Sequence, residues 1–133
     1  MTFLLDTNHA IAYLNGDSRL VPYLSAAKAA GETFTLSTTV LGELYFGAYA
    51  SQRVTENLAK LTAFAATMPV LELDAAAAEE FGKLKAEQRL KGKPIPTADA
   101  QIAATARLHG LVVLSGDVHF QGIEGLVVKS WLA

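Results

Sequence analysis

The chain has no cysteine among its 133 residues, which excludes a disulfide framework and a thiolate metal site and fits a reducing compartment. Proline is scarce: there are four, and two of them fall in Lys91-Gly92-Lys93-Pro94-Ile95-Pro96, the clearest loop of the sequence. No uninterrupted apolar stretch reaches membrane-spanning length, and no basic segment precedes the first apolar run. The expectation is therefore a cytoplasmic protein without a membrane anchor. Charge is also sparse, at 18% of residues with a net value of -2, so nothing in the overall balance attracts nucleic acid. Any such binding has to come from a local basic patch and from metal ions. Apolar residues are plentiful at 51%, which argues for a compact globule over a disordered or fibrous chain. A chain of 133 residues suits a single domain over 1–133 with a sizeable core, and the apolar excess could also supply an interface.

Short apolar strands alternate with longer helical patterns, which predicts an α/β fold with a mainly parallel sheet and helices on both faces. The pattern predicts strands over 2–5, 34–36, 68–73, 111–114 and 126–128. It predicts helices over 10–14, 19–30, 39–50 and 55–66, a long one capped by Asp74 and running to Leu90, and one opened by Thr97 and stopped at His109-Gly110. There is no internal repeat, low-complexity segment or interdomain linker.

Four acids stand out by position. Asp6 ends the first strand in Phe3-Leu4-Leu5-Asp6-Thr7-Asn8, and Asp117 follows the apolar run before Ser115-Gly116. Glu43 and Asp99 lie in predicted helices. Ligands of open α/β sheets gather beyond the carboxyl ends of the strands, so acids delivered there from distant parts of the chain can converge. Converging carboxylates suit a hard cation such as Mg²⁺ or Mn²⁺. Each acid also has a plain structural reading. Asp6 fits a turn or an N-cap, and Asp117 fits a turn. Asp99 lies in the first turn of a helix, where the macrodipole favours a carboxylate by about 0.3–1 kcal/mol. Glu43 is not the far end of a capping box, because position 40 is Val. It either faces solvent or, in so apolar a stretch, is buried and needs compensation. The constellation says more than any member.

The histidines make a poor case for zinc, since none pairs at a ligand spacing such as i, i+4. His109 falls in the last turn of a helix, where a cation is favoured, whereas His9 and His119 are candidate substrate contacts. Tyr45, Phe46 and Tyr49, at helical spacing, read as core or interface before base-stacking groups.

Four segments follow one another along the chain: Leu4-Leu5-Asp6-Thr7-Asn8; Ser37 through Glu43-Leu44-Tyr45-Phe46-Gly47-Ala48; Ile95-Pro96-Thr97-Ala98-Asp99-Ala100-Gln101-Ile102-Ala103-Ala104; and Leu114-Ser115-Gly116-Asp117-Val118-His119-Phe120. Each is weak alone. In this order they resemble the PIN-domain family of metal-dependent ribonucleases, and within it the VapC-type toxins of prokaryotic toxin-antitoxin modules. The resemblance implies a three-layer α/β/α sandwich around a five-stranded parallel sheet. It implies an endoribonuclease whose acidic site is Asp6, Glu43, Asp99 and Asp117, holding Mg²⁺ or Mn²⁺. Asp6 and Asp99 would be the primary metal ligands, with Glu43 and Asp117 serving a second ion or orienting the nucleophilic water. Thr7, Asn8 and Ser115 would support the carboxylates or the scissile phosphate, though as strand-end residues they equally fit turns.

Four close carboxylates repel one another, so metal binding is expected to be cooperative with deprotonation. The resemblance further implies a cognate antitoxin whose tail covers the acidic crevice, and a homodimer, expected here through the helices around Tyr45, Phe46, Tyr49, Val54 and Leu58. For the RNA backbone the candidate is the basic run Lys83, Lys85, Arg89, Lys91 and Lys93, above all Lys91 and Lys93. With Glu79, Glu80 and Glu87 interspersed, the run equally reads as a solvated helix face. Two other readings stay open. A receiver-like phosphoacceptor switch has similar size and alternation and would use Asp74 and Lys129, but it needs paired acids after the first strand, where this chain has only Asp6. An inactive PIN-like binding module would be supported by a missing acid, and none is missing.

Overall fold

A computed structural model of the protein describes residues 1–132. Its first strand, β1 (Thr2–Leu5), lies at the centre, with Phe3, Leu4 and Leu5 all buried. A strand apolar at successive positions is covered on both faces, as parallel sheets require. On one side β1 pairs with β2 (Thr33–Ser37), which pairs with β3 (Val70–Leu71); on the other it pairs with β4 (Val112–Leu114), which pairs with β5 (Val127–Lys129). All four pairings are parallel, and the strand order is β3-β2-β1-β4-β5.

Among the described residues six helices link these strands: α1 (Thr7–Leu14), α2 (Val21–Ala29), α3 (Thr38–Tyr49), α4 (Val54–Ala65), α5 (Ala75–Leu90) and α6 (Thr97–His109). Helices α1, α3 and α4 pack on one another and α5 packs along α6, completing the expected three-layer α/β/α arrangement. In α6 the residues Ala100, Ile102, Ala103, Ala104 and Ala106 are buried, and their mostly small side chains allow close approach to its neighbours. Gly110 ends α6 in the left-handed conformation, with φ 66°, which a glycine adopts without a Cβ clash. After β5, Trp131 stacks on Tyr23 at 5.4 Å and meets Phe3 edge-on at 5.0 Å, which fastens that segment to β1.

The boundaries differ from the sequence expectation where caps and edges decide them. The first helix begins at Thr7 and not at residue 10, because the Asp6 side chain accepts the His9 N–H and starts the helix directly after the strand. The third strand is only Val70–Leu71 instead of 68–73; as an edge strand it pairs solely with Leu36 and Ser37. The fifth is Val127–Lys129, one residue later than expected, in register with Val112–Leu114. Thr97 is not a cap. Pro96 holds the N-cap position of α6, and the Thr97 hydroxyl instead accepts from Lys85 Nζ at 2.6 Å. Asp74 does cap α5, accepting from the Ala77 N–H at 2.9 Å, and that structural role fills the position a phosphoacceptor reading would need.

Candidate functional site

The chain lays β1, β2 and β3 toward one edge of the sheet and then returns to place β4 on the other side of β1. The crevice beyond the carboxyl ends of β1 and β4 is therefore the topological switch point, where α/β proteins bind ligands. The two strand ends are stitched together there by the Asp6 N–H, which donates to the Leu114 carbonyl at 3.1 Å.

Asp6 sits directly on that stitch and is 7% exposed. The next residue, Thr7, donates its hydroxyl to Glu43 Oε2 at 2.9 Å, bringing the α3 carboxylate to the end of β1. Glu43 itself is exposed, so its apolar sequence neighbourhood is a matter of the opposite helix face and no buried charge needs compensation. Thr39 on α3 donates to Gln101 on α6 at 3.0 Å, which ties the helix bearing Glu43 to the helix bearing Asp99. Asp117 opens a short 3₁₀ turn, Val118–Phe120, by accepting the His119 N–H at 2.9 Å. Asp6, Glu43, Asp99 and Asp117 then line one cavity of about 180 Å³, together with Thr7, Asn8, Ile102 and Phe120.

Charge in this cavity is unbalanced. Among the described residues no lysine or arginine forms an ion pair with any of the four acids. Burial pushes the Asp99 carboxyl above its ordinary range; a hydrogen bond to His119 opposes the rise, while the charges of Asp117 and Asp6 add to it. His119 stands where a cation is wanted, its Nδ1 2.9 Å from Asp99 Oδ2 and 3.1 Å from Asp117 Oδ1. One ligand atom from each of Asp99, Asp117 and His119 falls within 4.8 Å of the others. Carboxylate oxygens joined by a hydroxyl, an amide and one imidazole form a donor set suited to Mg²⁺ or Mn²⁺.

Other sequence candidates lie elsewhere. Ser115 is buried beneath the site, accepting the Asp117 N–H at 3.0 Å, and it lines a neighbouring cavity of about 510 Å³ that shares Asn8 and Asp117 with the acidic one. It shapes the loop that carries Asp117 and does not line the acidic cavity. His9 is 1% exposed and bonded on both ring nitrogens, so it is not a substrate contact. The turn that buries it follows from the early start of α1. His119, expected as a substrate contact, instead joins the acids, and its place in the segment Leu114 through Phe120 was the signal for it. Lys91 and Lys93 are exposed on the loop before α6 and do not line the acidic cavity; Lys85 is the basic residue that touches the first turn of α6.

Known proteins resemble this chain in sequence and in fold. The PIN domain family model matches residues 3–126. A tRNA(fMet)-specific endonuclease VapC of Shigella flexneri is 33% identical, covering 98% of this chain and 98% of its own. Ribonuclease VapC2 of Haemophilus influenzae is 30% identical over 99% of each chain. The crystal structure of DNA-bound VapBC from Salmonella typhimurium contains a chain 31% identical that matches with a TM-score of 0.88, over 98% of both chains. Since the matched span encloses Asp6, Glu43, Asp99 and Asp117, and the shared fold extends over nearly the whole chain, this protein belongs to the PIN-domain family, in its VapC group.

Proposed function

We propose that the protein is a Mg²⁺- or Mn²⁺-dependent endoribonuclease and the toxin component of a type II toxin-antitoxin system. The observation that carries this reading is the convergence of Asp6, Glu43, Asp99 and Asp117 on one cavity with no arginine or lysine paired to them among the described residues. Asp6 and Asp99 are the primary ligands in this reading, and Glu43 and Asp117 complete the coordination through a second ion or through water. A bound divalent ion supplies Lewis-acid stabilisation of phosphate charge and lowers the pKa of a water nucleophile. The chain's own residues hold the geometry: Thr7 fixes Glu43, Ser115 fixes the Asp117 loop, and Thr39 with Gln101 keeps α3 beside α6. With water as nucleophile the products carry a 5′-phosphate and a 3′-hydroxyl; a 2′,3′-cyclic phosphate as direct product would contradict the mechanism.

Two kinds of protein partner fit the surface. An antitoxin segment bearing an arginine could pair bidentately with the unneutralised carboxylates and exclude the metal, in keeping with relatives whose structures are VapBC complexes. A second copy of the chain could cover Phe46 and Tyr49, which are 75% and 65% exposed, with Tyr45, Val54 and Leu58 half-buried beside them. A monomer by light scattering at micromolar concentration would remove the dimer.

The test is cleavage of RNA by protein freed of any co-purifying partner, with Mg²⁺ or Mn²⁺ and with chelator. Initiator transfer RNA is the first substrate to try, because the Shigella relative is named for it. Fragments should require metal, and Asp6→Asn or Asp99→Asn should each reduce the rate by roughly 10³-fold. Cleavage that persists in chelator, or in both variants, would overturn the proposal.

A further inference from the structure

The two carboxylate oxygens of Asp6 are used differently. Oδ1 accepts two donors from one residue, the His9 backbone N–H at 2.7 Å and the His9 ring Nδ1 at 3.0 Å. Among the described residues no protein group bonds Oδ2, and Asp6 lines the acidic cavity. On the far side of the His9 ring, Nε2 lies 3.1 Å from the backbone N of Trp131. A backbone amide can only donate, so Nε2 accepts and carries no proton; the ring proton is then on Nδ1, directed at Asp6. Trp131 is itself held, stacked on Tyr23 and packed edge-on against Phe3 and Phe34. A fixed chain of contacts thus runs from an aromatic cluster through the Trp131 amide and His9 to the carboxylate at the end of β1.

We propose that His9 is a positioning residue for Asp6: anchored by the Trp131 amide, its ring holds the carboxylate so that Oδ1 stays on α1 and Oδ2 is left for a cation. The inference rests on reading the cavity as a metal site. The helix cap alone does not require the ring, because Asp6 Oδ1 already caps α1 by accepting the His9 backbone N–H. What the ring adds is a second donor on the same oxygen, which restrains rotation of the carboxylate about its own axis. Groups that orient metal ligands in this way typically tune metal affinity.

The two amide side chains separate positioning from simple space-filling. Asparagine at position 9 offers an N–H close to where Nδ1 stands and nothing at Nε2; glutamine reaches the Nε2 position and accepts from Trp131 but offers nothing to Asp6. Mn²⁺ binding measured by calorimetry on wild type, His9→Asn and His9→Gln should therefore show affinity about 10-fold weaker for glutamine, with asparagine within about threefold of wild type. Equal losses in both variants, or undiminished affinity in a folded His9→Gln protein, would overturn the proposal. A wild-type protein that binds no Mn²⁺ would refute the metal reading itself, a different outcome from wild type and His9→Gln binding equally. Should His9→Gln fail to fold, long-range ¹H–¹⁵N spectra of the wild type decide: the Nδ1–H tautomer supports the proposal, and an Nε2–H or doubly protonated His9 ring refutes it.

Discussion

Helix α6 meets acidic side chains at both of its ends. Near its C-terminus Arg107, only 13% exposed, bonds Glu80 and Glu87 of α5 and the Glu124 carbonyl. The hydrogen bond from Arg107 holds the Glu87 carboxyl below its ordinary range, against a smaller opposing effect of desolvation. Burial works against the Arg107 charge, yet its bonds to Glu87 and Glu80 prevail and raise its pKa. Near the N-terminus of α6, Asp99 shares a cavity with Asp6, Glu43 and Asp117, and burial pushes its carboxyl upward with no guanidinium to counter it. The helix dipole favours a carboxylate at the N-terminus and a cation at the C-terminus, but a term of about 1 kcal/mol or less does not balance four converging acids. Acids that serve only the fold are neutralised from within it. Those at the switch point have no lysine or arginine paired to them among the described residues, and only the His119 imidazole stands between two of them.

Removing the internal cation should break the paired end. Arg107→Ala leaves Glu80 and Glu87 without their partner against α6, and the expected outcome is a lower urea midpoint, with a loss in the range of about 1–3 kcal/mol typical of a destabilising substitution. A loss under about 0.5 kcal/mol, the size of an ordinary surface substitution, would mean that the arginine is not what settles those acids.

At the unpaired end the sign reverses. A carboxyl whose pKa is raised on folding keeps its proton in the native state at pH values where the unfolded chain has lost it. Stability therefore falls as pH rises from the ordinary aspartate range through the raised value, and levels off above it. Asp99→Asn removes that titration. The metal-free variant should melt a few degrees above wild type at neutral pH, with the gap closing as the pH drops below the ordinary aspartate range. Excess Mn²⁺ should then raise the melting temperature of wild type and leave the variant nearly unmoved. A lower melting temperature for metal-free Asp99→Asn would show that this end, too, is internally satisfied.

The contrast also explains what could be read in the sequence. The four acids were legible because each stands within a local motif at a strand end or helix, and the alternation of short apolar strands with longer helical patterns already indicated a parallel sheet covered on both faces. The Arg107 cluster carried no such signal: its partners Glu80 and Glu87 lie 27 and 20 positions away and looked like ordinary members of a mixed helix face. His9 looked like a substrate contact because it follows Asp6-Thr7-Asn8, and only the helix beginning at Thr7, with Trp131 122 positions away, turns it into the interior. Boundaries failed where a cap or a sheet edge sets them: α1 starts at Thr7 because the Asp6 side chain accepts the His9 N–H, and β3 is cut to Val70–Leu71, the length that pairs with Leu36 and Ser37.

The smallest expected effect concerns charges that belong to neither cluster. Lys91 and Lys93 are exposed on the loop leading into α6 and form no ion pair among the described residues, so they are not part of the fold's internal neutralisation. An RNA approaching the acidic cavity is a polyanion moving toward negative charge, and two cations on the adjoining loop would ease that approach through long-range attraction, which salt screens. Replacing both with alanine should leave the melting temperature unchanged and weaken cleavage several-fold at low salt, with the difference vanishing at high salt. Two lost phosphate contacts to a single strand should flatten the plot of log affinity against log salt by about 1.4, roughly 0.7 for each. If the slope is unchanged, RNA reaches the acids by another face, and the asymmetry of α6 then concerns the metal alone.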